Sequence, residues 1–334
     1  MPQTAEEIYE KWRVPMGLPK GGVDSVSTYA QAIEKWAPIR NGHHSAFRGE
    51  ERFFFDTYCF PKLGRHQNRK DFCRLSDFLS LKGHIGSGTE TVMLLEEFDI
   101  LSKFREWFIS NNPNVLVPAP HSTAWIDLAQ HHGAPTRLLD VSRNPLVGLF
   151  FACWNPTCIC DEEEDGLVWI KEVRSSVRQH SVPRVEYLSR LEIDAEIQQG
   201  WSESYFDFFE PWAFSKTNED VDHLYVPPAR NMEANRRVYQ QHGQFIWNTG
   251  MNRLSNWFPI LISKSAKKEL LRQLNDLYVN PFMLFPGAEG LEQQDRFNDW
   301  LDGIDVNALP QTGFEWTWPG SDKREYFDLI PKPK

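Results

Sequence analysis

The stretch RLLDVSRNPLVGLFFACW, residues 137–154, limits what this chain can fold into more than any other. Arg137 to Val141 reads as a buried strand. Asn144 followed by Pro145 is a helix start, a side-chain cap and then a residue whose fixed φ suits the first turn. The helix it opens is apolar from Leu146 to Trp154, far short of the roughly 20 residues that a membrane span needs. A sizeable core can form around it. Of 334 residues, 41% are hydrophobic and 25% charged, with 13 Trp and 23 Phe, which excludes wholesale disorder. At about 150 residues per domain, the length makes one large domain or two modest ones. Lys and Arg total 36 against 46 acids, a net charge of −10. That excludes holding duplex DNA mainly by bulk positive charge, but not a local basic site.

Helices and strands alternate irregularly on both sides of this stretch. Thr4 with Glu7 makes a capping box, and Ile8 and Trp12 share one apolar face, so residues 1–40 read as a helical arm. A second helix covers Thr28–Trp36 and ends at Ala37-Pro38. His44–Phe55 reads as a strand carrying AFRG and then the run Phe53-Phe54-Phe55. Val92, Leu95, Phe98, Leu101, Phe104 and Phe108 recur at helical spacing over Thr89–Ile109, and Ser122–His132 is a shorter helix. The acidic run Asp161–Asp165 reads as a solvated loop. Strands are expected at Leu167–Val173, His223–Val226, Gln244–Trp247 and Phe258–Ser263. Helices are expected at Ala266–Leu277, with Leu270, Leu271, Leu274 and Leu277 inward, and at Leu291–Leu301. Without a regular βαβ alternation the class is α+β. The start, MPQTAEEIYEKW, has neither a basic region nor an apolar core, and the five cysteines are an odd count. Both predict a cytoplasmic protein with reduced thiols and no membrane segment.

Gln130 to Pro145 places amide, imidazole, hydroxyl, guanidinium and carboxylate groups at the ends of a buried strand. Such groups are costly to bury unless paired, so they form either a structural network or a site. Asp140 can bond Arg137 or cap a turn. Arg48 can pair with Glu50 or Glu51 as a surface bridge of little worth, or serve phosphate recognition, for which guanidinium is well suited.

AFRGE at residues 46–50, QHHGAPTRLLDVSRNPLVGLFFA, the later YQQHGQF and then LFPGAEGL occur in the order that resembles the FRG-domain family, named for its Phe-Arg-Gly tripeptide. The resemblance runs from about Phe47 to Leu291 and implies a domain over residues 41–334, with 1–40 as the arm. Val141 stands where the family usually has Trp, and Gly148 where it usually has Ala; both are packing changes.

The pattern is in turn similar to the ADP-ribosyltransferase fold, a split β-sheet that holds NAD in a cleft, a likeness at the level of fold. It implies that Arg48 holds the NAD ribose and phosphates. It also matches Asp140-Val141-Ser142 with Pro145, Gly148 and Phe151 to a strand ending in hydroxyl residues and the helix after it. Gln241 falls where such enzymes usually have a Glu. Breaking the nicotinamide–ribose bond builds positive charge on the sugar, which a carboxylate at the 2′-hydroxyl stabilises while an Arg clamps the diphosphate. Gln241 accepts a hydrogen bond but brings no charge, so Asp140 is the first substitute. The catalytic candidates are Arg48, Asp140, Ser142 and Gln241. Arg48, Gln130, His131, Thr136 and Arg137 are the candidates for binding NAD, with Trp125, Tyr239 or Phe151 available to stack on nicotinamide. The resemblance implies a toxin or effector in bacterial conflict, including phage defence, with an antitoxin or other inhibitory protein as partner. A single-stranded nucleic acid or a protein would be the acceptor. A non-catalytic nucleotide- or partner-binding module is the alternative, and a hydrolase built on His131 and Asp140 a third.

Metal and nucleophile readings are weaker. Asp127 and His131 lie four apart on one helix face, but no further ligands follow at zinc spacing. No nucleophile-elbow glycines flank Ser142, which weakens a Ser142–His131–Asp triad. Cys153, Cys158 and Cys160 lack a matching second half and read as ordinary thiols. Between Lys62 and Arg74 there are five cations and one acid, and Arg230, Arg236 and Arg237 precede Gln241. These groups are either a solvated surface or a phosphate-lined approach, with Phe72 and Tyr239 suited to stacking on unpaired bases.

Overall fold

The structure, a computed structural model, describes residues 5–36, 43–52, 100–101, 103–111, 124–132, 134, 136, 138–154, 164–174, 223–225, 236–247 and 257–303. In chain order the helices are α1 (Ala5–Met16), α2 (Val26–Trp36), α3 (103–111), α4 (Ala124–His131), α5 (Pro145–Cys153), α6 (Arg236–Gln240), α7 (Lys267–Asp276), α8 (Pro281–Leu284) and α9 (Gly287–Leu301). The strands are β1 (His43–Glu50), β2 (Leu138–Ser142), β3 (Gly166–Arg174), β4 (His223–Tyr225), β5 (Gly243–Trp247) and β6 (Phe258–Ile262). They form one six-stranded sheet in the order β4-β5-β2-β1-β3-β6, every neighbouring pair antiparallel. Helices and an antiparallel sheet in this mixture make an α+β fold.

Two halves of the sheet meet along an unusually thin seam. β1 pairs with β3 over its whole length, from His43↔Arg174 to Glu50↔Leu167. β2 pairs with β5 from Leu138↔Trp247 to Ser142↔Gly243. Between β1 and β2 only Phe47↔Ser142 is in register.

Helix α5 packs on β1 with almost no space between the backbones. A Cβ on Gly49 would lie 2.1 Å from the Gly148 carbonyl oxygen, and one on Gly166 would lie 2.1 Å from that of Ala152. No side chain fits at either place. Asn144 caps α5 by accepting a hydrogen bond from the Leu146 amide (3.0 Å), and Pro145 occupies the first turn, as the sequence predicts.

The N-terminal helices lie on the same core, where Tyr9, Val23, Tyr29 and Ala32 are buried with residues of α5, β3 and β6. Val23 bridges Ile262, the Val26 amide donates to Gln273 Oε1 (2.9 Å), and the Tyr29 hydroxyl donates to the Pro145 carbonyl (2.8 Å). Burial pushes the Tyr29 hydroxyl well above its ordinary pKa, with nearby Cys153 adding to the effect.

The strands match expectation to within a residue or two where they are described, except that β1 ends at Glu50 rather than running to Phe55; Phe53-Phe54-Phe55 lie outside the described residues. Two details differ. Leu277 is not an inward residue of α7: the helix stops at Asp276, and Leu277 is its cap, 52% exposed. Two short helices, α6 and α8, were not anticipated, although Asn280-Pro281 repeats the cap-then-proline signal of α5. Thr4, the expected cap of α1, and residues 89–99 of the long helix lie outside the described residues. So do the cations from Lys62 to Arg74, Arg230, Phe72, Cys158 and Cys160. Among the described residues no helix is long and apolar enough to cross a membrane.

Candidate functional site

Side chains alternate along a strand, and on β1 the alternation separates two kinds of contact. Phe47 and Gly49 face α5. Arg48 and Glu50 face the other way, on the side of Trp169, the β3 partner of Arg48. Arg48 Nε donates to Glu50 Oε1 (3.1 Å), and Trp169 Nε1 donates to Glu50 Oε2 (2.9 Å). The expected surface bridge is instead an enclosed one, the side chains being 14% and 3% exposed. Solvent screens it little, and truncating one partner would leave the other as an uncompensated buried charge.

The remaining edge of Arg48 reaches across the seam. Its Nη1 donates to the main-chain oxygen of Asp140 on β2 (3.0 Å), and the seam has a single registered pair. Asp140 is the one exposed residue of the buried strand β2. Its carboxylate accepts from Gln130 Nε2 on α4 (2.6 Å), and Gln130 Oε1 accepts from the hydroxyl of buried Thr136. Thr136 Oγ also accepts from the Leu138 amide (3.2 Å), which ties this short relay to the start of β2. Arg48 thus binds the main chain of the residue whose carboxylate Gln130 holds.

Ser142, two residues beyond Asp140 and the seam partner of Phe47, closes β2, and Gln241 lies beside it. The Ser142 hydroxyl donates to the Gln241 carbonyl (2.7 Å) and accepts from the Asn144 amide (3.0 Å). Gln241 sits in the turn before β5, and its side-chain amide donates to the Leu284 carbonyl on α8 (3.1 Å). His242, with φ 49°, closes α6 through its amide on Tyr239 and accepts the Arg143 amide (3.0 Å).

The structure therefore brings together Arg48, Asp140, Gln130 and Thr136, with Ser142 at the same seam opposite Phe47 and joined to Gln241. The side chain of His131, at the end of α4, and all of Arg137 lie outside the described residues. Of the aromatic candidates, Trp125 is core, edge-on to Phe104 and Phe108. Phe151 packs edge-on against Phe285, and Tyr239 is 66% exposed. His132, next to the relay, is enclosed by Phe104, Trp107 and Phe108 with ring centroids 5.4–6.0 Å away. That burial pulls its pKa down to about 4, so it is neutral at pH 7.

Phe-Arg-Gly on β1 and the Gln130–Pro145 stretch meet at this seam, the latter supplying both α4 and β2. Residues 43–158 match the family model of the FRG domain. Over these residues the chain is similar to the FRG domain. The match covers about a third of the sequence and takes in β1, α4, β2 and α5. YQQHGQF and LFPGAEGL lie beyond it. No curated protein and no solved structure gives a significant match.

Within the matched stretch each residue of Phe47-Arg48-Gly49 has its own physical task. Phe47 fills the α5 face, Arg48 crosses the seam, and Gly49 admits the helix backbone. Sequence reasoning treated Glu50 only as a casual partner and passed over Trp169. The signal for both is geometric, since a carboxylate two residues after the arginine shares its face of the strand.

Proposed function

We propose that the FRG domain binds NAD at the β1–β2 seam and transfers its ADP-ribose to a macromolecule. The observation that carries this reading is Arg48 bound to the main chain of Asp140, whose exposed carboxylate is oriented by Gln130. Arg48 supplies cationic donors for the diphosphate. Asp140 takes the 2′-hydroxyl of the nicotinamide ribose, where it opposes the positive charge that grows as the C1′–N bond breaks. Nicotinamide leaves with the bonding electron pair. The acceptor nucleophile forms the new bond to C1′ and gives up its proton. Gln241 lies beside the last residue of β2, tied to Leu284, and with Ser142 it orders the turn. The thin seam between two sheet halves also supports the likeness to a split ADP-ribosyltransferase sheet. Action as a toxin or effector held in check by an antitoxin belongs to the same proposal.

The test is release of nicotinamide from labelled NAD in the presence of separate RNA, DNA and protein pools. Asp140→Asn keeps the Gln130 contact sterically and should slow release by about 100-fold or more. Intact NAD in every pool, together with no NAD binding by the wild type, overturns the proposal. A second reading, a non-catalytic binding module, is favoured by one observation: the side chain where a glutamate is usual carries no charge and is engaged by Leu284. NAD bound but never cleaved, and no growth arrest on expression, would select it.

A further inference from the structure

Three segments converge at the far end of β2. The Arg143 amide donates to the His242 carbonyl (3.0 Å), Gln241 Nε2 to the Leu284 carbonyl (3.1 Å), and the Arg237 guanidinium lies 4.7 Å from the Phe285 ring centroid. The stretches 141–151, 236–247 and 277–288 carry Arg143, Arg236, Arg237 and His242, and the acids flanking them in sequence are Asp140, Asp276 and Glu289. In a chain with 46 acids and a net charge of −10, three arginines at one end of the sheet stand out. Arg143, Arg236 and His242 are exposed. Aromatic rings project beside them: Tyr239 is 66% and Phe282 52% exposed.

From this juxtaposition we infer that the α6–α8 end of the sheet is a binding surface for single-stranded nucleic acid. Guanidinium groups meet the phosphates, and Tyr239 and Phe282 offer faces on which unpaired bases stack, a combination typical of single-strand binding. A duplex presents no open base faces, and the net negative charge of the whole disfavours its dense phosphate array. An anionic membrane surface would engage the same cations and rings, and vesicles are therefore one arm of the test. Arg143 follows Asp140 by three residues, about 10 Å at the rise of a strand, so a bound strand reaches the seam. Its role as the acceptor of ADP-ribose rests on the proposed function; the binding itself does not.

The test uses the full chain without NAD and follows fluorescence anisotropy of short labelled oligo(U) and oligo(dT), with a duplex of equal length and anionic phosphatidylserine vesicles alongside. Single strands should bind and the duplex should bind more weakly. Arg143→Gln and Arg236→Gln should each lower the slope of log affinity against log salt by about 0.7. Tyr239→Ala should weaken binding about tenfold with the slope unchanged, and Tyr239→Phe should retain it. Because these side chains are exposed, thermal midpoints should stay where they are. No oligonucleotide binding at low salt, equal affinity for the duplex, binding indifferent to all three variants, or capture by vesicles alone would each overturn the inference. Loss of oligonucleotide binding with NAD cleavage intact would sink this surface while leaving the seam proposal standing, and the reverse result would do the opposite.

Discussion

The two faces of strand β1 solve opposite problems with adjacent residues. On the α5 side, Phe47 and Gly49 bring a helix so close that backbone touches backbone. On the other side, Arg48 and Glu50 place a charged pair where solvent barely reaches. The first face gains stability by excluding everything, even a methyl group. The second keeps polar atoms in order at the cost of burying them, an arrangement that replacement by apolar side chains often matches in stability. Packing explains the first face completely. It does not explain the second, where Arg48 and Glu50 hold polar atoms in a fixed order.

The sharpest way to break the contrast is Gly49→Ala. The added methyl would meet the Gly148 oxygen at 2.1 Å and the Ala152 nitrogen at 2.5 Å, both backbone atoms of a capped helix that cannot swing aside. The expected loss exceeds about 4 kcal/mol, enough to remove most of the stability of an ordinary domain. Urea denaturation followed by circular dichroism measures it. A midpoint near that of the wild type would mean that α5 does not sit on β1 as described.

On the polar face the informative measurement is a double-mutant cycle. Glu50→Ala leaves Arg48 and the Trp169 N–H without their carboxylate and should cost about 3–5 kcal/mol. Removing both charges with Arg48→Met and Glu50→Gln should cost clearly less than the two single changes added together. If the double variant regains stability but does not bind NAD, the pair is kept for its ligand. If it regains both, the pair is a structural device and the site lies elsewhere.

The two faces also differ in how far they could be read from sequence. Asn144-Pro145 and the apolar run after it specify α5 locally, because capping and fixed φ act within a few residues. Strand β2 was legible for the same reason. The Gln130–Pro145 stretch stood out by its density of polar groups at a buried strand and Arg48 through the resemblance to the FRG pattern, but how they meet was not written locally. The seam exists because residues 92 positions apart come within one hydrogen bond, and no spacing rule encodes that distance. Gln241 shows the same limit: its place before a strand gives no sign that its side-chain amide donates to the Leu284 carbonyl. Leu277 looked inward by its period, but the helix ended one residue too early to use it.

A smaller effect should come from His132, which closes helix α4 beyond Gln130. Its pKa is about 4 in the folded chain against 6.5 for the exposed group. Between those values the unfolded chain holds the proton and the folded one does not, so stability rises with pH. The contribution is complete above pH 6.5 and is lost as pH falls toward 4, amounting to about 3 kcal/mol. Thermal midpoints measured across this window should fall less steeply for His132→Phe than for the wild type. Identical slopes would mean that the ring is hydrated, and that the aromatic enclosure does not hold the α4 end of the polar face.

The smallest expected effect is also the finest test of the apolar face. Gly148 lies on the same seam as Gly49, yet a methyl there would meet side chains, Phe47 Cβ at 3.0 Å and Val168 Cγ1 at 3.5 Å, rather than backbone. Phe47 Cβ moves only with the β1 backbone and has to give by a few tenths of an ångström, whereas Val168 Cγ1 is in ordinary contact. Gly148→Ala would also gain up to about 1 kcal/mol of helix propensity in the middle of α5, against an overpacking cost of about 1–3 kcal/mol. The two nearly cancel, so the urea midpoint should move by less than a quarter of the shift caused by Gly49→Ala. One methyl on each side of the same contact therefore separates a wall of backbone from a wall of side chains. Equal damage from both would show that α5 has no freedom to adjust on either side of the seam.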